Sequence, residues 1–338
     1  MANESTTCGH EPASVERLIV NCLPLTEAER IRFREAAAGV PQEFVGEASQ
    51  RGSMTWTATV PPELRARATA VIGNFPVADA PQYQHLDWVQ TWSAGVDRYV
   101  APGALPDGVQ VTSASGAYGQ SVSEHLFALM WALMRHLPAY RDQQRLAQWH
   151  DLGRAMSPVG ATVLVIGAGD IGSHVARLAS AVGAHVIGVR RHAAAAQPVL
   201  GFAEMHGTDE LDALLPDADV VVSIVPSTPQ THHLIGAEQL ALMKPTAILL
   251  NAGRGDAIDP DALLEALRAE RIAGAGLDVT EPEPLPADHP LWREPRCVIT
   301  PHVAGGMHLA ATEDRIIAIA LDNVARYAAG RELVNVRK

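Results

Sequence analysis

The sequence predicts an α/β protein of about two domains, each built on a parallel β-sheet. Its 338 residues, 47% of them hydrophobic, are enough for about two domains of ordinary size. Short apolar segments alternate with helix-like segments along the chain, a pattern that is typical of βαβ units. A glycine-rich turn follows one of these apolar segments near the middle of the chain.

The first region follows residues 1–16, whose polar composition predicts a disordered tail. From Arg17 onward, RLIVNCLPL predicts a buried strand and EAERIRFREAAAG a helix. TAVIGNFP and LDWVQTWSAGVD are further apolar segments, and each ends in a turn that contains glycine. This region ends near Ser115.

A helix from about Ser121 to Gln148 is predicted as the crossover between the domains. Beyond it, the predicted strands are TVLVIG, AHVIGV, ADVVVSIVP, AILLNAG, AGAGLDV and the start of CVITPHVAGG. The predicted helices are DIGSHVARLASAVG and DPDALLEALRAE, and the second begins at an Asp cap followed by Pro260. The segment from about Leu309 to Ala329 is predicted to form a helix that packs back on the N-terminal region.

The glycine-rich turn VLVIGAGDIG has the pattern G-x-G-x-x-G at Gly167, Gly169 and Gly172. It follows an apolar strand and opens an amphipathic helix, which is the context of a dinucleotide-binding turn. The first glycine permits the tight turn, the second lets the backbone approach a pyrophosphate, and the third lets helix and sheet pack closely. The helix N-terminus supplies N–H groups to the phosphates, so Asp170 and Ile171 are included among the predicted cofactor contacts.

Two arginines, Arg190 and Arg191, end the strand that follows this helix. NAD-binding chains usually hold Asp or Glu there, because a carboxylate accepts hydrogen bonds from the ribose 2′-OH. An arginine cannot accept them, but Arg190 would pair well with a 2′-phosphate, and Arg191 and His192 could add to that contact. The sequence therefore favours NADP(H), with NAD as the alternative because the pyrophosphate contacts alone could hold it.

Three later segments place reactive side chains at predicted strand ends, where ligands bind in open α/β sheets. Arg254 lies in NAGRGD, Asp278, Glu281 and Glu283 lie in LDVTEPEPLP, and His302 lies in TPHVAGG. An arginine binds a carboxylate bidentately, a histidine delivers a proton to a carbonyl, and a nearby carboxylate orients the histidine. With a nicotinamide, Arg254, Glu283 and His302 predict hydride transfer to a 2-keto acid.

Composition argues against several other classes of protein. A formal net charge of −12 disfavours nucleic acid and anionic membranes as partners. No signal peptide is evident, and the longest apolar run, Leu126–Met134, is far shorter than the ~20 residues that span a bilayer. The cysteines have no metal-like or disulfide-like spacing, which predicts a cytoplasmic protein without a metal site: Cys8, Cys22 and Cys297. Histidines such as His232 and His233 are expected to be surface or core residues.

Together these motifs resemble those of the D-isomer-specific 2-hydroxyacid dehydrogenases, which include glyoxylate/hydroxypyruvate reductases and D-lactate, glycerate, formate and phosphoglycerate dehydrogenases. The similarity extends from about Ala70 to the C-terminus through WSAGVD, SEH, VIGAGDIG, VPSTPQTHHLI, NAGRGDAID, GLDVTEPEPLP and PHVAGG. It implies two Rossmann-like domains with doubly wound parallel sheets and a cleft between them. A nucleotide domain at 118–303 would be inserted in a flavodoxin-like substrate domain, 17–117 plus 304–338. It also implies a homodimer.

The resemblance also implies a role for each site residue. Arg254 would bind the substrate carboxylate, His302 would be the acid/base, and Glu283 its partner. Asp278 would lie beside the nicotinamide or help to set the pKa of the site. The other implied substrate contacts are Asn74, Phe75, Ala94 and Gly95. The other implied cofactor contacts are Pro226, Ser227 and Thr231 on the adenosine side and Ala252 and Gly305 on the nicotinamide side.

The sequence departs from the family pattern at three positions. Arg190 replaces the usual acid, Thr280 stands where the family often has Phe, and Trp92 precedes SAG. The last two bear on the substrate rather than on the reaction. We therefore predict NADPH-dependent reduction of a small 2-keto acid, such as glyoxylate or hydroxypyruvate, to the D-2-hydroxy acid.

Two alternatives from other functional classes stay open. One is a dinucleotide-sensing interaction protein of the same fold, such as a corepressor, since fold alone does not determine function. The other is a dehydrogenase of a non-carboxylate anion such as phosphite, which Arg254 could bind equally well. That anion calls for a second cation before SAGVD, where the residues are neutral, although Arg98 follows the motif.

Overall fold

The computed structural model describes residues 16–53, 56, 58–191 and 200–337. The predictions for residues 1–15, including Cys8, and for His192 lie outside this range. The chain forms two compact units. The terminal unit contains both ends of the described chain, with Trp56–Ser113 and the residues from Ile317, whereas the central unit contains Ala114–Ile316. These limits lie a few residues from the predicted boundary at 117/118 and thirteen residues from the one at 303/304.

The terminal unit is built on a five-stranded parallel sheet with the order β2-β1-β3-β4-β5. This is the flavodoxin-like order, as predicted. Each strand has three residues: β1 Ile19–Asn21, β2 Gln42–Phe44, β3 Ala70–Ile72, β4 Trp88–Gln90 and β5 Gln110–Thr112. Its core is apolar, with Val20, Val71, Val89 and Val111 on the strands completely buried.

The central unit is built on a seven-stranded parallel sheet with the order β12-β11-β10-β9-β6-β7-β8. The strands are β6 Thr162–Ile166, β7 His185–Val189, β8 Glu204–His206, β9 Val220–Ser223, β10 Ile248–Asn251, β11 Gly274–Leu277 and β12 Cys297–Ile299. All neighbouring strands are parallel, so every strand ends at the same edge of the sheet. The predicted α/β class with two parallel sheets is confirmed.

Ten α-helices connect and cover these strands within the described chain. They are α1 Glu27–Ala36, α2 Pro62–Arg65, α3 Asp97–Val100, α4 Gly119–Met134, α5 Leu137–Arg145, α6 Asp170–Ala181, α7 Leu211–Leu214, α8 Ala237–Leu242, α9 Pro260–Arg268 and α10 Ala310–Ala328. Two of them start at side-chain caps, and the one at α9 was predicted from the sequence. Thr26 and Glu29 form a capping box at α1, and the Asp259 side chain accepts from two N–H groups of α9.

The crossover prediction of one helix over Ser121–Gln148 is wrong, because the segment contains two helices, α4 and α5. Between them His136 has a φ of +55°. The physical cause is Pro138, whose ring would clash with the carbonyl of Met134 and which has no N–H to continue the helix. No helix in the described part of the chain is both long and apolar enough to cross a membrane.

The C-terminal part of α10 packs on the N-terminal strands of the terminal unit, as predicted. The Tyr327 hydroxyl lies 2.9 Å from Thr69 Oγ1 and 2.9 Å from Asp87 Oδ1. The Arg17 guanidinium lies 4.0 Å from the centre of the Tyr327 ring, and the Trp88 ring lies 4.9 Å from it. Burial, as the largest contribution, raises the pKa of Asp87.

Candidate active site

The glycine-rich turn lies at the end of β6, where the strand order of the central sheet reverses between β6 and β9. This switch point is where open α/β sheets bind ligands. Gly167 has a φ of +105°, and a Cβ atom there would lie 2.3 Å from the carbonyl oxygen of Ile224. A Cβ atom at Gly169, the N-cap of α6, would meet nothing within 4 Å. The turn therefore leaves the backbone uncovered at a helix N-terminus, an arrangement that fits a pyrophosphate.

The other predicted cofactor contacts of the central unit lie in segments that follow its strands. They are Asp170 and Ile171 after β6, Pro226, Ser227 and Thr231 after β9, Ala252 after β10 and Gly305 after β12. The Thr231 hydroxyl donates to the Pro226 carbonyl at 2.6 Å and accepts from the Thr228 N–H at 2.9 Å. These bonds give the loop after β9 a defined shape. All seven residues thus lie beyond strand ends at one edge of the sheet.

Arg190 directly follows β7, and its backbone N–H donates to the carbonyl of His206 on β8 at 3.1 Å. Its side chain is half-buried, and its Nε atom is buried without a hydrogen-bond partner among the residues that the structure describes. The neighbouring Arg191 is exposed. A buried N–H group without a partner costs free energy, and a phosphate oxygen would satisfy it.

Two carboxylates near the end of β8 pair with histidines. His206 lies 2.9 Å from Glu210 through Nδ1 and 3.2 Å from Glu204 through Nε2. The hydrogen bond to Glu210, and then the one to Glu204, raise the pKa of His206. Hydrogen bonding to His206 lowers the pKa of both carboxyl groups in turn. Both carboxylates are thus bound to His206.

Arg254 lies in the loop that follows β10. Asn251, the last residue of the strand, shapes this loop, because its amide donates to the Arg254 carbonyl at 2.9 Å and accepts from the Gly253 N–H at 3.1 Å. A Cβ atom at Gly255 would lie 1.9 Å from the Thr280 carbonyl oxygen, so the loops after β10 and β11 are in backbone contact. The half-buried Arg254 side chain is thus held at the end of its strand.

His302 and Glu283 form a close pair at the ends of β12 and β11. His302 Nδ1 lies 2.6 Å from Glu283 Oε1, and the two side chains are 48% and 43% exposed. His302 has a φ of +53°, and its N–H donates to the Asp278 carbonyl at 2.8 Å. Positive φ is uncommon for residues other than glycine and is often found at functional sites. With Nδ1 bound to a carboxylate, Nε2 is the ring nitrogen that can exchange a proton with a ligand.

Asp278 anchors the loop that carries His302. Its side chain is 2% exposed and accepts from Thr300 Oγ1 at 2.6 Å and from the N–H groups of Val303 and Ala304, both at 2.9 Å. His125 on α4 lies 3.0 Å from Thr300 Oγ1 and 3.6 Å from Asp278 Oδ1. The sequence interpretation assigned no role to His125 or Thr300. The SEH motif pointed to His125, whereas no pattern distinguished Thr300.

In the terminal unit, the predicted substrate-binding residues follow β3 and β4. The Asn74 amide accepts from the Trp92 N–H at 3.1 Å and donates to Ser93 Oγ at 3.3 Å. Ser93 Oγ donates to the Gly95 carbonyl at 2.7 Å, across Ala94. The two loops are therefore joined by hydrogen bonds between neutral groups.

Two aromatic side chains support these loops. The Tyr99 hydroxyl bonds to both the N–H and the carbonyl of Phe75, at 2.8 and 2.7 Å. The Trp92 indole donates to the Trp56 carbonyl at 2.9 Å, and the two rings lie 6.5 Å apart. Trp92 is thus half-buried against a fully buried tryptophan. Arg98, the cation that follows the motif, is exposed.

Comparisons with known proteins bear on the family of the chain. Residues 127–304 match the model of the D-isomer specific 2-hydroxyacid dehydrogenase family, NAD binding domain. The chain is 34% identical over 283 residues to glyoxylate/hydroxypyruvate reductase B of Pectobacterium carotovorum subsp. carotovorum, with 78% of this chain and 84% of that protein covered.

Two solved structures cover nearly the whole chain. A D-isomer specific 2-hydroxyacid dehydrogenase family protein from Aeromonas salmonicida has 32% identity and a TM-score of 0.77, with 96% of this chain and 99% of that chain covered. A D-isomer specific 2-hydroxyacid dehydrogenase from Xanthobacter autotrophicus, solved in complex with NADPH and MES, has 27% identity and a TM-score of 0.76, with 96% and 98% covered.

The fold and the strand-end residues fit a dehydrogenase that uses a nicotinamide dinucleotide, since the glycine-rich turn fits a pyrophosphate and the hydrogen-bonded pair of His302 and Glu283 lies at the same sheet edge. With the family match and the identities above, the chain belongs to the D-isomer specific 2-hydroxyacid dehydrogenase family. The resemblance stated from the sequence is confirmed, and the alternative of a non-enzymatic interaction protein is set aside.

Proposed function

We propose that the protein reduces a small 2-keto acid, such as glyoxylate or hydroxypyruvate, to the corresponding D-2-hydroxy acid. The observation that carries this proposal is the 2.6 Å contact between His302 Nδ1 and Glu283 Oε1 at the edge of the dinucleotide-binding sheet. A histidine held in this way is suited to give a proton to a carbonyl oxygen. The Pectobacterium relative, a glyoxylate/hydroxypyruvate reductase, supports the same substrate class.

In this proposal each of the site residues of the central unit has a different role in the reaction. Arg254 binds the substrate carboxylate through two parallel N–H···O bonds and draws electron density from the adjacent carbonyl. Glu283 holds His302 through Nδ1, so that Nε2 faces the substrate and donates the proton to the carbonyl oxygen. Asp278 keeps the His302 loop in place. When bound, the reduced nicotinamide supplies the hydride that reduces C2 of the substrate.

The loops after β3 and β4 are proposed to recognise the rest of the substrate. Asn74, Phe75, Ala94 and Gly95 offer amide and backbone groups and no charge. Backbone N–H groups bind a carboxylate without adding a competing charge. Trp92, which packs on the buried Trp56, would then limit the size of the substrate side chain. This assignment is tested by the order of preference among substrates rather than by kcat.

We propose NADPH as the preferred cofactor. Arg190 has a buried Nε without a partner in the described chain, and the carboxylates Glu204 and Glu210 are bound to His206. A ribose 2′-phosphate would supply both the missing acceptor and the missing negative charge. The Xanthobacter structure contains NADPH, which supports the same choice.

We further propose that the protein is a cytoplasmic homodimer. Five large apolar side chains of the segment 137–159 are exposed, Trp149 fully: Leu137, Leu146, Trp149, Leu152 and Val159. Such a concentration of exposed apolar surface is typical of a protein interface, and a second copy of the chain is its proposed occupant. Light scattering of the wild type and Trp149→Asp tests the dimer, and a monomeric wild type would contradict it.

The cytoplasmic location is proposed from the cysteines of the described chain. Cys22 and Cys297 are free, which suits a reducing compartment.

The function is tested by initial rates of reduced-cofactor oxidation with a panel of 2-keto acids. The panel contains glyoxylate, hydroxypyruvate, pyruvate, 2-ketobutyrate, 2-ketoisocaproate and phenylpyruvate. We expect turnover to be fastest with the smallest members, and the product to be the D-isomer where it is chiral. Absence of turnover with every member, in protein that binds the dinucleotide, would contradict the proposal. Phosphite oxidation with NADP⁺ and NAD⁺ is measured in parallel. This assay distinguishes the proposed keto acid reductase from the alternative, a dehydrogenase of a non-carboxylate anion.

The cofactor preference is tested with the variant Arg190→Ser. Loss of a charge-assisted contact with phosphate is worth about 1.5–3 kcal/mol, which corresponds to about 10–150-fold in KM for NADPH, with little change for NADH. The exposed neighbour Arg191 supplies the matched control, since Arg191→Ser should change the ratio of the KM values for NADPH and NADH less than Arg190→Ser does. Equal effects of Arg190→Ser on both cofactors would contradict the proposed phosphate contact.

A further inference from the structure

A second cluster of potential ligands lies outside the set of Arg254, Glu283 and His302. His232 and His233 belong to the connection between β9 and α8, and Glu281 belongs to the loop after β11. His233 Nε2 lies 2.8 Å from Glu281 Oε2, and His232 Nε2 lies 3.7 Å from Glu281 Oε1. One ligand atom from each of the three residues lies within 4.8 Å of the others. The proposed reduction uses none of these side chains.

The spacing of these atoms suits one metal ion. Zinc binds histidine nitrogen and carboxylate oxygen at about 2.0–2.2 Å, so two ligand atoms of a tetrahedral site lie about 3.3–3.5 Å apart. The distances of 2.8 and 3.7 Å lie on either side of this value. The two imidazole rings are stacked, with centroids 4.0 Å apart and planes inclined by 22°. Both rings therefore direct a nitrogen toward the same carboxylate.

The two histidines are also held in place by the backbone. The His232 N–H donates to the Thr228 carbonyl at 3.0 Å, and the His233 N–H donates to the Asp256 carbonyl at 2.7 Å. His233 has a φ of +49°, and its Nδ1 lies 3.8 Å from Asp259 Oδ2. A carboxylate behind the second ring nitrogen is common at metal-binding histidines, where it orients the ring. Backbone contacts and a carboxylate thus fix the positions of these two rings.

The cluster of His206, Glu204 and Glu210 differs in geometry from that of His232, His233 and Glu281. His206 contacts Glu210 and Glu204 through opposite nitrogens of one ring, so no single point is close to all three side chains. Among the described residues, only the cluster of His232, His233 and Glu281 meets that requirement. The sequence did not indicate the site, because Glu281 lies 48 residues from His233.

We propose that His232, His233 and Glu281 bind a divalent transition-metal ion of the Zn²⁺ class, with a water molecule in a fourth position. Two imidazole nitrogens and one carboxylate suit Zn²⁺, Co²⁺, Ni²⁺ or Cu²⁺, whereas Mg²⁺ and Ca²⁺ require more oxygen ligands. His232 is exposed and the other two side chains are half-buried, so the ion exchanges with solvent. The site is independent of the proposed reduction.

The experiment uses full-length protein without an affinity tag, treated with a chelator and then titrated with Co²⁺. Tetrahedral Co²⁺ has strong visible absorption bands that weakly bound, octahedral Co²⁺ lacks. Wild type should bind one equivalent with this spectrum, and Zn²⁺ should displace it. Glu281→Gln and His233→Gln should each weaken binding at least about 100-fold, a larger loss than outer-shell changes produce. His185→Gln, which removes a surface histidine paired with Glu204, should leave binding unchanged.

Two results would overturn the proposal. One is a wild-type titration without a tetrahedral spectrum or without a defined stoichiometry. The other is binding that survives both Glu281→Gln and His233→Gln, since the ion would then lie elsewhere. Thermal melting in the presence of chelator shows that each variant is folded. The added stability that Zn²⁺ gives the wild type should be absent in both variants and present in His185→Gln.

Discussion

The two units end their parallel strands in loops of different chemistry. In the central unit, the loops after β10, β11 and β12 carry Arg254, Glu283 and His302. In the terminal unit, the loops after β3 and β4 carry Asn74 and Trp92, and their hydrogen bonds join neutral groups. Both units have open parallel sheets. The two units thus share a sheet architecture and differ in the side chains placed at their strand ends, and function depends on such side chains rather than on the fold.

This contrast suggests a division of roles. In the proposed function, the charged groups of the central unit change the rate of the chemical step, because they would interact with charge that develops in the transition state. The neutral groups of the terminal unit are proposed to contribute shape and uniform binding, which act on KM. Substitutions in the two sets of loops should therefore have effects of different kind and size.

The largest effect is expected for His302→Ala. Loss of general acid catalysis should lower kcat by about 10²–10⁴-fold. Steady-state kinetics with the best 2-keto acid measures it, and titration of NADPH fluorescence shows whether the cofactor still binds. A kcat near that of the wild type would remove His302 from the chemical step and with it the contrast between the units.

Arg254→Ala should have the next largest effect. Removal of one partner of a charge pair costs about 2–4 kcal/mol, which corresponds to about 30–1000-fold in kcat/KM. We expect KM to rise and kcat to fall together, because the guanidinium both binds the carboxylate and polarises the carbonyl. Arg254→Lys retains the charge without the forked donors, so its intermediate activity would separate the two contributions. Unchanged kcat and KM would show that another group binds the carboxylate.

Asn74→Ala should have a smaller effect of a different kind. It removes the acceptor of the Trp92 N–H, a neutral hydrogen bond of about 0.5–1.5 kcal/mol, so kcat/KM should fall about 2–12-fold. The change should appear in KM and in the order of preference among 2-keto acids, with kcat nearly constant. A fall in kcat as large as that of Arg254→Ala would contradict the assignment of the terminal unit to binding.

The smallest effect is expected for His206→Gln, and it should be confined to stability. The pKa of His206 is raised above its ordinary 6.5, so its contribution is complete below about pH 6.5 and is lost as the pH rises through the raised value. The pKa values of Glu204 and Glu210 are lowered from 4.5, so their contribution is lost as the pH falls below about 4.5. The difference in melting temperature from the wild type should therefore be largest between these two pH values and vanish at alkaline pH. A change in kcat would give this cluster a role that we do not assign to it.

The fold class was predictable because long apolar strands, glycine turns and helix caps are local signals. TVLVIG, AHVIGV and AILLNAG all correspond to strands of the central sheet. Three strands were not predicted, because QEF, QVT and EMH have three residues each and too few apolar side chains to show a period. The break between α4 and α5 was not predicted, because the apolar run Leu126–Met134 suggested one continuous helix despite Pro138.

The candidate site was predictable only as far as its residues follow strands. Arg254, Glu283 and His302 were chosen for this reason, and the structure brings the last two into contact. The anchoring of Asp278 by Thr300 and its proximity to His125 depend on residues far apart in sequence. Such contacts form only when the chain is folded, and one sequence contains no local pattern for them.

The central claim is that His302, held by Glu283, delivers the proton during reduction of the keto acid. The most direct measurement is the pH dependence of kcat/KM for this reduction in the wild type and in His302→Gln. We predict that the wild-type value falls as the pH rises, because the reduction needs a protonated general acid, and that the variant has a low value without this fall. A variant that keeps the wild-type pH profile would contradict the claim, because another group would then supply the proton.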